Sequence, residues 1–232
     1  PSLFAFEYNS ENVSVFPAIV STIYMVLLSL AVAGPLGIFT AIYLVEYAGR
    51  GNILVKIIRI TAETLSGIPS IIYGLFGLIF FVTTIKMGFS LLAGALTLAI
   101  MILPLLIRTT EEAIKSVPDI YREGSYGLGA GKLRTVFKIV LPSAIPGIMA
   151  GIILSIGRIV GETAALIFTA GTVAQIPNSL FSSTRTLAIH MYALASEGLH
   201  TNEAYATAVV LLITVLVINL SASAIAKSLN KK

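Results

Sequence analysis

The sequence predicts an all-α polytopic membrane protein with five spans, forming one transmembrane domain over residues 1–232. Three observations lead there. Mean hydropathy is +0.95, with 56% hydrophobic and only 11% charged residues, far from the composition of a soluble domain. Apolar runs of about 20 residues recur, the length a helix needs to cross a bilayer. The Lys and Arg residues collect between alternate runs.

Residues 2–16 are polar and acidic, with Glu7 and Glu11 and no Lys or Arg, and read as an outside segment. A first span follows at 17–47, where Gly34, Pro35 and Gly37 predict a kink. The connector 48–60 carries Arg50, Lys56 and Arg59 and reads as inside. The second span, 66–85, opens on Ser-Gly-Ile-Pro-Ser-Ile-Ile-Tyr-Gly-Leu-Phe-Gly, whose small residues allow helix backbones to approach closely. Lys86, Met87 and Gly88 turn the chain outside into a third span at 89–107. The polar region 109–142 lies inside, and a fourth span covers 143–170. Residues 171–202 return outside with an amphipathic helix near 186–195, and a fifth span at 205–225 ends before Lys227, Lys231 and Lys232.

This alternation places twelve cationic residues inside, namely Arg50, Lys56, Arg59, Arg108, Lys115, Arg122, Lys132, Arg134, Lys138, Lys227, Lys231 and Lys232, against Lys86 and Arg185 outside. The positive-inside rule therefore sets the N-terminus of this chain outside and the C-terminus in the cytoplasm. The formal charge of +4 belongs to these dispersed flanks and excludes a nucleic-acid footprint. The absence of Cys excludes disulfides and thiolate chemistry, and two scattered His residues cannot build a metal site, so no cofactor, metal or catalytic residue is expected. No internal repeat suggests a carrier built from inverted halves.

The polar region has a structure of its own. Pro118 suits a first helical position and Asp119 the positive helix start. Gly127, Gly129 and Gly131 then break the chain, and a second short helix runs from Lys132 until Pro142 and Pro146 interrupt it. Two short helices at an elbow make a docking surface. Glu123, Gly129, Ile139, Leu141 and Pro142 stand in the register E-A-A-x3-G-x9-I-x-L-P, with Gly124 and Ser125 at the Ala positions. The stretch thus resembles the EAA motif of ABC importer permeases with a MetI-like transmembrane domain, which implies that Glu123, Gly124, Gly129, Ile139, Leu141 and Pro142 dock into a separate ATPase. The competing reading is an amphipathic hairpin on the membrane surface, driven by Lys132, Arg134 and Lys138. The Gly-rich run is not a phosphate loop: Tyr126 and Leu133 stand where a Gly and a Ser or Thr are required.

In the fourth span, Arg158 lies twelve residues beyond Pro146, about 18 Å along a helix and near mid-membrane. An ionised Arg there needs a partner or a cavity. Glu162, one turn on, can pair with it, either as a structural lock between helices or as a polar patch beside an anion route where the guanidinium matches phosphate-like oxygens. The strings Gly-Ile-Pro-Ser-Ile-Ile-Tyr-Gly-Leu-Phe-Gly and Gly-Arg-Ile-Val-Gly-Glu-Thr-Ala-Ala-Leu-Ile-Phe-Thr-Ala-Gly resemble the phosphate-specific, PstA-type permease family through nearly the whole chain. The resemblance implies phosphate import across a bacterial or archaeal plasma (inner) membrane, with Arg158, Glu162 and Thr163 on the translocation pathway. It also implies a PstC-like permease as heterodimer partner, a PstB-like ATPase dimer and a PstS-like phosphate-binding protein. Members typically carry Pro where Ala165 stands, and one further N-terminal span, which is expected upstream.

Other candidates are weaker. His190 and His200 read as interfacial, Tyr192 and Tyr205 as interface anchors, and Glu111 and Glu112 as members of solvated ion pairs. The rival functions are a permease for another oxyanion such as molybdate or sulfate, and a secondary carrier or membrane enzyme.

Overall fold

The computed structural model describes residues 14–49, 51–198 and 200–229, and all regular structure among them is helical. In chain order the helices are α1 (Phe16–Ile42), α2 (Ile53–Ser66), α3 (Ser70–Gly77), α4 (Leu91–Lys115), α5 (Asp119–Gly127), α6 (Lys132–Thr135), α7 (Leu141–Val160), α8 (Ala164–Ile167), α9 (Leu187–Glu197) and α10 (Thr201–Leu229). Wider π-helical turns extend α1 over Tyr43–Tyr47 and α3 over Leu78–Thr84, and join α6 to α7 over Val136–Val140. Among the described residues, four continuous helices are long and apolar enough to cross a membrane, Phe16–Tyr47, Leu91–Lys115, Lys132–Val160 and Thr201–Ala224. Counting α2 with α3 and its extension as one broken span brings the number to five.

Several boundaries differ from the sequence expectation. The helix that carries the span expected at 89–107 continues to Lys115, and within the span expected at 143–170 the helix stops at Val160, where Gly161 opens the chain. Pro118 is the residue before the first turn of α5 and not its first residue. Pro142 and Pro146 do not interrupt the helix, which runs from Lys132 to Val160 with a π-helical turn at Val136–Val140 just before Pro142. Pro35 and Pro104 likewise sit inside α1 and α4.

The chain forms two compact units, with boundaries inside α1, α4, α7 and α10. The first takes residues up to Val32, Ile68–Met101 and Ile156–Ile218. Its helices meet through small residues, as apolar helices do where backbones must approach closely. A Cβ on Gly74 of α3 would lie 2.8 Å from the Ala165 Cα of α8, and one on Gly77 would strike the Thr97 and Thr169 side chains. The segment after α8 folds back to satisfy the start of α4: the Leu91 and Leu92 amides donate to the Ser182 and Leu180 carbonyls at 3.0 and 2.9 Å. Hydroxyls fasten α1 to the start of α9, through Ser21 Oγ to Thr184 Oγ1 at 2.5 Å and the Leu187 amide to Thr22 Oγ1 at 2.9 Å.

The second unit takes Ala33–Gly67, Ile102–Ser155 and the chain from Asn219. Ala41, Ile42, Ala113, Ile114, Val117, Val136, Val140, Ala144 and Ile148 form its buried core. Again the contacts are close. A Cβ on Gly37 would lie 2.9 Å from Leu106 Cβ, and one on Gly147 would lie 2.6 Å from Ala113 Cβ.

Candidate functional site: an elbow in one unit and a broken helix in the other

The elbow lies wholly in the second unit. α5 ends where Gly129 takes φ +81°, a left-handed conformation that glycine adopts without Cβ strain, and α6 leaves in a new direction. The two arms are tied across this turn by Ser125 Oγ and Thr135 Oγ1 at 2.8 Å and by the Ala130 amide donating to the Ser125 carbonyl at 3.1 Å. Their outer faces stay uncovered. Leu128 is 91% exposed, Ile120 70% and Leu133 65%, and a cavity of about 470 Å³ opens between Ile120, Gly124, Leu128, Gly129, Arg134 and Ile139. Of the motif residues, Gly124, Gly129 and Ile139 share this cavity, while Glu123 is exposed on α5 outside its lining, and Leu141 and Pro142 stand where the continuing helix leaves the elbow. Large exposed apolar residues framed by Arg134 and Lys138 form a patch of the kind that contacts a protein or a membrane surface.

The inner side of the elbow holds residues the sequence reading did not single out. Arg122 is 14% exposed and pairs with Glu46, 6% exposed, at 2.8 Å. The need for a partner was legible, since Glu46 is a lone carboxylate at the end of an apolar span, but not which cation supplies it. Glu111 was expected in a solvated pair and is instead buried, held by Arg59 at 2.5 Å and Lys115 at 2.6 Å. α2 supplies Arg59 and so removes Glu111 from water. The Arg108 to Glu112 pair is exposed, as expected.

The segment around Arg158 lies in the first unit. Arg158 is half-buried near the end of α7, and its charge acts on the Tyr73 phenol of α3. Glu162 lies past the helix end and does not make the expected one-turn pair with Arg158. Its Oε1 accepts the Ala165 amide at 3.1 Å and thereby caps α8. The i, i+4 spacing brings side chains together only on a continuous helix, and Gly161 ends that continuity. Thr163 precedes α8 and lines a largely apolar cavity of about 700 Å³ with Ile167, Phe168, Tyr192 and Tyr205, a cavity that neither Arg158 nor Glu162 borders. His190 is fully buried in α9 rather than interfacial. Burial first, and the Arg185 charge second, lower its pKa to about 3, so it is neutral at physiological pH.

A helical chain with four, or up to five, helices long and apolar enough to cross a membrane and an exposed apolar elbow fits one class, the membrane component of a transporter driven by a separate protein. Comparison with known proteins gives the family. The chain belongs to the binding-protein-dependent transport system inner membrane components, which it matches over residues 33–232. It is 37% identical to the phosphate transport system permease protein PstA 1 of Mycobacterium tuberculosis, over 91% of this chain and 70% of that protein. Identity is also 37% to the phosphate transport system permease protein PstA of Yersinia pestis, over 90% and 70% of the two chains. The probable ABC transporter permease protein YqgI of Bacillus subtilis is 37% identical over 91% and 77%. Among solved structures, the fold matches an inward-facing MetNI methionine ABC transporter with a TM-score of 0.71 at 20% identity, covering 93% of this chain and 94% of that one. A bacterial alginate ABC transporter matches with a TM-score of 0.71 at 18% identity, over 94% and 80%. The chain is therefore a transport permease of the ABC importer type, multi-pass in the inner membrane, and not an enzyme. Permeases of this family work with an ATPase and a substrate-binding protein.

Proposed function

We propose that this chain is the permease subunit of an ATP-driven phosphate importer. It supplies half of the transmembrane pathway and couples that pathway to an ATPase through the elbow at Gly129. One observation carries the cargo assignment: 37% identity, over 90% or more of this chain, to proteins described as phosphate transport permeases. The exposed apolar residues beside a glycine in the left-handed conformation support the coupling role. Arg158, Glu162 and Thr163 belong to the pathway in this reading. Arg158 presents a forked cation to a tetrahedral oxyanion, and Glu162 holds the break in the helix beside it. The partners are a PstC-like permease, two copies of a PstB-like ATPase and a PstS-like phosphate-binding protein. The N-terminus of this chain lies outside and its C-terminus in the cytoplasm, as the distribution of Lys and Arg requires.

ATP-dependent uptake of labelled phosphate into vesicles carrying the full complex tests the reading. Excess unlabelled phosphate is expected to abolish the signal, and molybdate or sulfate to leave it nearly intact. Uptake of molybdate or sulfate in place of phosphate would reassign the cargo. Uptake that follows a proton gradient and ignores ATP depletion would make the chain part of a secondary carrier.

A further inference from the structure

Both arms of the elbow reach the same turn of α1. Ahead of Tyr43 that helix is α-helical for 27 residues; it then widens into the π-helical turn Tyr43–Tyr47, closed by the Ala48 amide on the Tyr43 carbonyl at 2.9 Å. Glu46 on this turn is buried, and its neighbour Tyr47 is exposed. Arg122 from the α5 arm takes Glu46. The Lys132 ammonium from the α6 arm stands over the Tyr47 ring, 5.2 Å from its centre.

The Arg122 contacts use the guanidinium completely. Nε and Nη2 donate to Glu46 Oε1 at 3.0 and 2.8 Å. Nη2 also donates to the Ile114 carbonyl at 3.0 Å, and Nη1 to the Val117 carbonyl at 2.8 Å and Asp119 Oδ1 at 3.0 Å. Five hydrogen bonds meet four acceptor atoms, Glu46 Oε1 taking two of them. One side chain thus binds the end of α1, the last turn of α4 and the segment leading into α5. A lysine has three donors on a flexible stem and cannot reproduce that fork. The Ser125 to Thr135 bond makes the two arms one body, so a displacement of the exposed face has a short, buried, charge-paired route to α1.

We infer that Arg122 is a positioning residue that holds the elbow to the π-helical turn of α1 and carries its displacement into that helix through Glu46. The inference rests on the coupling role proposed above. Complexes carrying Arg122→Lys, Glu46→Gln or Gly129→Glu, reconstituted in vesicles with their ATPase subunits, provide the test. Three quantities are read for each: ATPase retained on purification, ATP hydrolysed, and labelled phosphate taken up. Arg122→Lys and Glu46→Gln are expected to retain the ATPase and its hydrolysis while phosphate taken up per ATP falls about fivefold or more. Uptake and hydrolysis falling in equal proportion, or an unchanged ratio, would overturn the inference. Glu46→Gln keeps the size of the side chain and decides the matter if Arg122→Lys does not accumulate. If neither accumulates, the pair only holds the fold and the inference fails. Gly129→Glu separates the two levels: if it retains the ATPase, the coupling role itself is wrong, and if it loses the ATPase while the other two keep a normal ratio, only the Arg122 route is wrong.

Discussion

Arg158 and His190 are both ionisable side chains within one unit, and their surroundings give them opposite duties. Arg158 is half-buried and makes no ion pair with Glu162, which is occupied with the Ala165 amide. In the proposed pathway its guanidinium meets the anion. Arg158→Gln is expected to reduce phosphate uptake roughly tenfold or more, the loss of one charge-assisted contact, with the ATPase still bound. Normal uptake by that variant would return the residue to a structural role. His190 is fully buried, and its folded pKa of about 3 lies below the ordinary value of 6.5. Between those values the unfolded chain binds a proton that the folded chain does not. Stability is therefore complete above about pH 6.5 and falls as pH drops toward about 3, by at most about 1.4 kcal/mol per pH unit. Thermal melts of the detergent-solubilised complex between pH 7 and pH 5 should show this fall, and His190→Asn should flatten it.

Glycines decide what the helices can do, and they act in two distinct ways. Gly74 is a packing glycine: a Cβ would meet the backbone of α8 at 2.8 Å, so Gly74→Ala must separate α3 from α8. A cost of about 1–3 kcal/mol is expected, read as a lowered melting temperature. Gly34→Ala in α1 is the control, since nothing lies within 4 Å of the added carbon, and it should be neutral or slightly stabilising. Gly129 is a conformational glycine with open space around it. A side chain there costs about 1–3 kcal/mol of backbone strain and changes the outer face of the elbow. The same scale explains the prolines. Pro142 looks like a helix stop in sequence, yet a π-helical turn precedes it and a single helix continues from α6 into α7.

For the molecule as a whole, the proposed orientation rests on the distribution of charge, and the absence of Cys from this sequence makes it measurable. In whole cells, Lys86→Cys should react with a membrane-impermeant thiol reagent, while Lys138→Cys should react only after permeabilisation. The reverse pattern would invert the topology. Much of this scale was legible in the sequence because a bilayer filters hydrophobicity so strongly: the all-helical class, the elbow and its motif register follow from composition and spacing alone. The partners of the buried charges were not legible. Glu46 and Arg122 are 76 residues apart, and nothing in local spacing links them. Glu111 sits beside Glu112, and only the arrival of α2 buries one and leaves the other in water.

By itself the sequence determined that this chain is an α-helical membrane protein and where the elbow must turn, and its Lys and Arg distribution supplied the orientation proposed for it. Those properties depend on residue type and on separations of one or two helical turns, which a linear reading preserves. Only the tertiary structure decided that Glu162 caps α8 in place of pairing with Arg158, that His190 is buried, and that Arg122 joins the elbow to α1. Each depends on which backbone groups lie within about 3 Å of a side chain once helices have broken and packed, and a break at Gly161 or a wider turn at Tyr43–Tyr47 redirects every side chain beyond it.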